Sequence, residues 1–268
     1  YAAIGANIGQ AATDADNLAL LNDIVGASQA ADVDTVAEIN DLARIANAIQ
    51  ATAAGQTPSP ALTPADYAKA GFAGVTAQNI AAVNAAIAAK NDNGTETDTL
   101  AKVQTAVDAG IGAHEAAQAA QAAQAAALNV IATYAETGIT APTVTDYATA
   151  GVTGVDAGNL AAINSAINAQ AGADGMPGNA DDRGAADTTP EVQAIVDAYR
   201  AILAEANDTN ANAGDTTPDA TPSVDPTAAQ YAAIGANIGQ AATDADNLAL
   251  LNDIVGASQA TDVDTVTE

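Results

Sequence analysis

The chain has 268 residues with six Lys or Arg, 33 Asp or Glu and no Cys, a net charge of −27. Its basic residues, Arg44, Lys69, Lys90, Lys102, Arg183 and Arg200, lie scattered, which excludes phosphate-backbone recognition by a basic patch and disfavours anionic membrane surfaces. Without thiols there are no disulfides, and no apolar run nears the roughly 20 residues of a spanning helix.

Apolar residues make up 49 % of the chain, most of them Ala, against one Phe and no Trp. Alanine favours helix and lets backbones approach closely, so the composition predicts slim helical bundles with thin cores. No lasting β-type alternation occurs. The fold class expected is all-α, built as tandem, small, three-helix-bundle-like repeats in an elongated array.

The phrase opening at Tyr1 returns at Tyr231, a period of 230 residues, with Ala31 and Ala37 replaced by Thr261 and Thr267 over residues 231–268. So faithful a copy predicts a window on a longer array of like modules. A looser repeat lies inside the period. Tyr1 leads to NLALLNDIVGA, Tyr67 to NIAAVNAAIAA and Tyr147 to NLAAINSAINA.

In chain order, residues 1–57 form repeat A, whose helices run through Asn17 and then from the Thr35 and Glu38 capping box, with Val36, Ile39, Leu42, Ile45 and Ile49 on one face. Residues 58–141 form repeat B: a short helix with Tyr67 stopped at Gly71, a helix with Ile80, Val83 and Ile87 on one face, a third from ETDTLAKV, and a long Ala/Gln-rich connecting helix over 113–137. Residues 142–206 form repeat C, with Tyr147, Gly151, the stripe Leu160, Ile163 and Ile167, and a third helix in which Pro190 takes the first position after Thr189. Its apolar face is Val192, Ile195, Tyr199 and Ile202. Residues 207–226 are an acidic Pro/Thr linker, and 227–268 begin the next copy of repeat A.

The segment GADGMPGNADDRG sets Asp174, Asn179, Asp181 and Asp182 among glycines, a hard-oxygen group suited to calcium. It does not match the EF-hand loop, because Gln170 and Gly172 fall where acidic ligands belong, and a solvated inter-helix loop is the competing reading. A second acidic loop carries Asp92, Asn93, Glu96 and Asp98. His114, the one histidine, cannot build a zinc site or a nucleophile–base pair alone and reads as an exposed helix residue. The Tyr residues recur in register and read as packing residues. Nothing else in the sequence sets out an enzyme's constellation.

The phrases DYATAGVTGVDAGNLAAINSAINA and TPEVQAIVDAYRAI resemble the Ala-rich helical tandem repeats of very large bacterial surface proteins and adhesins, and the likeness covers most of the chain. Their helix order is also similar to GA-type three-helix modules, from which residues 1–57 depart by a spacing four residues longer between Tyr1 and Asn17. The resemblance implies an extracellular, surface-attached stalk or fibre-forming spacer whose partners are neighbouring repeats, with lateral self-assembly into filaments as a variant. A module that binds a host protein or glycan through a helical face is the alternative. A spacer predicts interface residues that recur in each copy and no concave polar pocket; a binder predicts an exposed apolar patch.

Overall fold

A computed structural model describes residues 1–90, 95–170, 180, 182–206 and 225–267. These are all-helical, with ten α-helices joined by turns and short 3-10 segments, and no strand among the described residues. The chain divides into two compact units, Tyr1–Ala119 and Ala120–Glu268.

In the first unit α1 (Ala15–Ala27) starts where the Asp14 carboxylate accepts the amides of Asp16 and Asn17, both at 3.0 Å. The helix α2 (Val36–Ala53) starts at the Thr35–Glu38 capping box, in which each side chain bonds the other's backbone N–H. The same device, Thr63 with Asp66, opens α3 (Pro64–Lys69), with Pro64 in the first turn where no N–H partner is lost. After α3 the chain turns through Gly71 and Gly74, both at positive φ, into α4 (Ile80–Ala88). The helix α5 (Leu100–Thr137) follows as one continuous element. The third helix of repeat B and the Ala/Gln tract are therefore one helix, since no residue between Leu100 and Thr137 breaks or caps it.

The core of this unit joins Leu20, Leu21 and Ile24 of α1 to Leu42, Ile45 and Ile49 of α2, then to Tyr67, Phe72, Val83, Ile87, Val103 and Val107. Helices α4 and α5 touch backbone to backbone: a Cβ on Gly110 would lie 2.5 Å from the Val83 Cα, so no larger residue fits. Gln50 and Thr97, both buried, clamp α2 to the start of α5 through bonds of 2.9 and 2.8 Å.

The second unit packs Ala127, Ile131 and Ala135 of α5 against α6 (Val144–Thr149), α7 (Leu160–Asn168) and α8 (Thr189–Ala206). Its core continues through α9 (Ala228–Ala233) and α10 (Ala245–Gly256). Thr143 with Asp146 and Thr227 with Gln230 repeat the capping box at α6 and α9. The expectation for α8 is off by one residue. The helix starts at Thr189, so Pro190 takes its second position, because Thr188 has the three-residue spacing to Glu191 that a capping box needs; the Thr189 hydroxyl donates to the Ala150 carbonyl at 2.7 Å.

Of the expected apolar faces, Ile163, Ile167, Val83, Ile87, Ile195, Tyr199 and Ile202 are buried. Val36 departs from its stripe at 39 % exposed, at the first residue of α2. Between Glu115 and Ala123 every residue of α5 is exposed, so that stretch relies on alanine's helix propensity and not on packing.

Candidate functional site

The residues that recur in register define contact surfaces between helices. Each recurring tyrosine's hydroxyl donates to an asparagine one to two turns into the next longer helix: Tyr1 to Asn22 at 2.7 Å, Tyr67 to Asn84 at 2.6 Å, Tyr147 to Asn164 at 2.7 Å and Tyr231 to Asn252 at 2.9 Å. The asparagine's amide closes the loop where it donates to the carbonyl before the capping threonine, from Asn164 to Pro142 and from Asn252 to Pro226, each at 3.0 Å. Tyr67, Tyr147 and Tyr231 are buried rings whose hydroxyls are thus satisfied. Burial raises the Tyr231 phenol from 10.0 to about 12, helped by the charges of Glu205 and Asp225; burial also pushes Tyr67 and Tyr147 well up.

A second recurrent knot precedes α4 and α7. Asn79 accepts from the Thr76 amide at 2.7 Å and donates to Gly74 at 2.9 Å, and Asn159 makes the same two bonds with Asp156 and Gly154, both at 2.8 Å. Asn17 takes a different partner, Asn47 of α2, at 2.8 Å. The longer Tyr-to-Asn spacing of repeat A accommodates this: a 3-10 turn, Gly9–Ala12, fills the extra length, and Asn47 ties it down through Ala11 and Ile8.

Two helices, α2 and α8, each touch helices on both sides of them in the chain. Helix α2 packs on α1 before it and on α3 and α4 after it, and α8 packs on α7 before it and on α9 and α10 after it. At the first of these junctions Arg44 pairs with Asp66 and, at 2.9 Å, with Asp41, which also takes Lys69 at 2.6 Å. The Lys69 hydrogen bond, with Arg44 beside it, holds Asp41 below the usual carboxylate range. For Asp66, burial pushes upward, but hydrogen bonds from Thr63 and Arg44 outweigh it and the net shift is down.

A groove of about 570 Å³ runs beside this junction, lined by Asn7, Asn40, Arg44, Asn47, Gln56 and Pro58 among others. The spacer reading expects no concave polar pocket, and here is one. Its polar groups are largely turned to internal duties: Asn40 accepts from the Asn7 amide at 2.7 Å, Asn47 is used as above, and Arg44 faces two carboxylates.

Of the calcium candidates, Asp174, Asn179 and Asp181 lie outside the described residues, as do Asp92 and Asn93 of the second loop. Asp182 is buried at the start of the 3-10 turn Asp182–Ala185. Arg183 in that turn binds Asn129 and Thr133 of α5 and lies 3.6 Å from Glu136, an anchor that no sequence pattern had signalled. Asp98 pairs with Lys102 at 2.6 Å. Among the described residues no group of three or more His, Cys, Asp and Glu is placed to hold a metal ion. His114 is half-buried on α5 beside Gln118, 2.9 Å away. Nor is any described helix long and apolar enough to cross a membrane.

Comparison with protein families, curated proteins and solved structures found no match.

Proposed function

We propose that this chain is a stretch of tandem helical repeats serving as a structural spacer, the stalk or fibre-forming region of a large extracellular bacterial surface protein or adhesin. The observation that carries this reading is the recurrence of one buried device, the Tyr–Asn hydrogen bond behind a Thr-led cap, in successive copies. A module selected to bind a ligand concentrates its distinctive residues at one place, whereas these are spent on the same internal joint each time. The packing of α2 and of α8 on helices both before and after them supports the same view, because repeats that share helices with their neighbours stack by nearest-neighbour contacts.

High negative charge suits that role, since neighbouring copies repel other arrays and stay soluble. The most exposed apolar face, on α10, repeats in sequence a face that α2 covers in the first unit, so it belongs to the repeat and not to a foreign ligand. The extracellular part of the proposal is tested by brief proteolysis of intact producing cells. Release of fragments bearing this sequence, with cytoplasmic markers retained, is the expected result; protection until lysis would remove the surface assignment.

A further inference from the structure

Residues 1–38 and 231–268 are one sequence, two positions apart, in two surroundings. In the first unit α2 covers α1, and Leu20 and Ile24 are 0 and 1 % exposed, while Ile4 is 54 % exposed. In the second unit the pattern inverts. Against α8, Ile234 and Val255 are buried, whereas Leu250 and Ile254, the counterparts of Leu20 and Ile24, are each 57 % exposed. The helix thus carries two apolar faces on one sequence, one for the third helix before it and one for the third helix after it.

The exposed face of α10 borders a cleft of about 690 Å³, with Leu250, Leu251 and Ile254 on one wall and Ile238, Val263 and Val266 on others. We infer that this cleft is a docking groove for one helix, a copy of α2 supplied by a repeat of the same kind, and that it receives the stripe Ile39, Leu42, Ile45, Ala46 and Ile49. The fit is argued from the first unit, where Ile8, Leu20, Leu21 and Ile24, the counterparts of Ile238, Leu250, Leu251 and Ile254, share one core with Leu42, Ile45, Ala46 and Ile49. The sequence around Thr265 and Val266 is also that of Thr35 and Val36, which open α2. A foreign amphipathic helix would meet the same apolar wall without this residue-by-residue match.

The inference rests on the repeat reading but not on the stalk assignment. Its test is the titration of the full chain with a fluorescent peptide of residues 34–57, followed by anisotropy and by hydrogen exchange of α10. The expected result is saturable binding, gain of peptide helicity and slowed exchange over residues 245–256. L250D with I254D, both at exposed positions, weakens binding at least ten-fold while circular dichroism stays unchanged; I4D, at an exposed position in the 3-10 turn Ala2–Ile4 of the first unit, leaves it intact. An L42D/I45D peptide does not bind. Absence of saturable binding to the folded chain, or binding indifferent to L250D/I254D, would overturn the inference. So would dimers of the chain that L250D/I254D dissociates and the peptide does not, because the occupant would then be a second α10. Absence of peptide binding to this chain while tandem arrays still scatter as extended particles would sink this inference alone, and binding to this chain while the arrays are compact would sink the stalk alone.

Discussion

Tyr1 and Tyr231 offer an internal comparison for what the recurrent hydrogen bond contributes, because the residues that follow each are the same and the packing around each is not. Tyr231 and Asn252 are each 4 % exposed, while Tyr1 is half-buried and Asn22 is exposed. Tyr231→Phe removes the donor and leaves the Asn252 carboxamide oxygen buried without it, which costs about 1–3 kcal/mol. Tyr1→Phe lets water replace the hydroxyl, and the cost stays within about 0.5 kcal/mol. For a unit of the second one's size, about 2 kcal/mol corresponds to a fall in Tm of roughly 4–8 °C. Hydrogen exchange at graded urea concentrations, read separately over α1 and α10, reports each unit's local stability. Pairing Tyr231→Phe with Asn252→Ala in a double-mutant cycle isolates the coupling from the bond that Asn252 also makes to Pro226. Equal losses for Tyr1→Phe and Tyr231→Phe, or no coupling to Asn252, would refute the claim that a buried polar joint holds each copy together.

Other expectations follow from the same contacts. Gly5 and Gly235 both have φ near +75 to +79°, but a Cβ on Gly235 would lie 2.5 Å from the Ala169 carbonyl oxygen whereas one on Gly5 meets nothing. Gly5→Ala should therefore cost about 1–2 kcal/mol from the left-handed backbone alone, and Gly235→Ala visibly more, by denaturant midpoint of each unit. On acidification, Asp41 and Asp66 have folded pKa values below their unfolded ones, so the stability they lend is present above the unfolded carboxylate pKa of about 3.9 and is lost as pH falls through the folded values. Arg44→Ala should flatten that acid loss in the first unit and leave the second unchanged, as read by chemical denaturation between pH 2 and 5. At the alkaline end the sign is the same as for any raised pKa: Tyr67, Tyr147 and Tyr231 add stability that is intact below the unfolded value near 10 and is lost as pH rises toward the folded values. Tyrosinate absorbance near 295 nm should accordingly rise late and together with unfolding for these rings.

Much of this was legible in the residues. Thr35 with Glu38 and Pro64 after Thr63 marked helix starts by local chemistry alone, and the i, i+3, i+7 stripes marked the buried faces of α4 and α7. The tyrosine register was visible too, but its partner was not: the asparagine concerned is not the one leading each helix but a later one, Asn22, Asn84, Asn164 or Asn252, whose bond spans 17 to 21 residues. A hydrogen bond across a turn depends on how the helices cross, which periodicity does not encode. The two-faced character of α1 and α10 was hidden for a related reason: nothing in the phrase NLALLNDIVGA divides its apolar residues between two neighbours, and only the second setting, in which Leu250 and Ile254 are exposed, separates the face for α2 from the face for α8. The Arg183 anchor is likewise a tertiary contact with no local pattern.

The most direct test of the central claim is small-angle X-ray scattering on one, two and three 230-residue periods joined in tandem. The spacer account predicts a maximum dimension that grows in proportion to the number of periods while the cross-section stays constant; a compact particle whose radius of gyration follows the globular scaling of about 2.2·N^0.38 Å would contradict it.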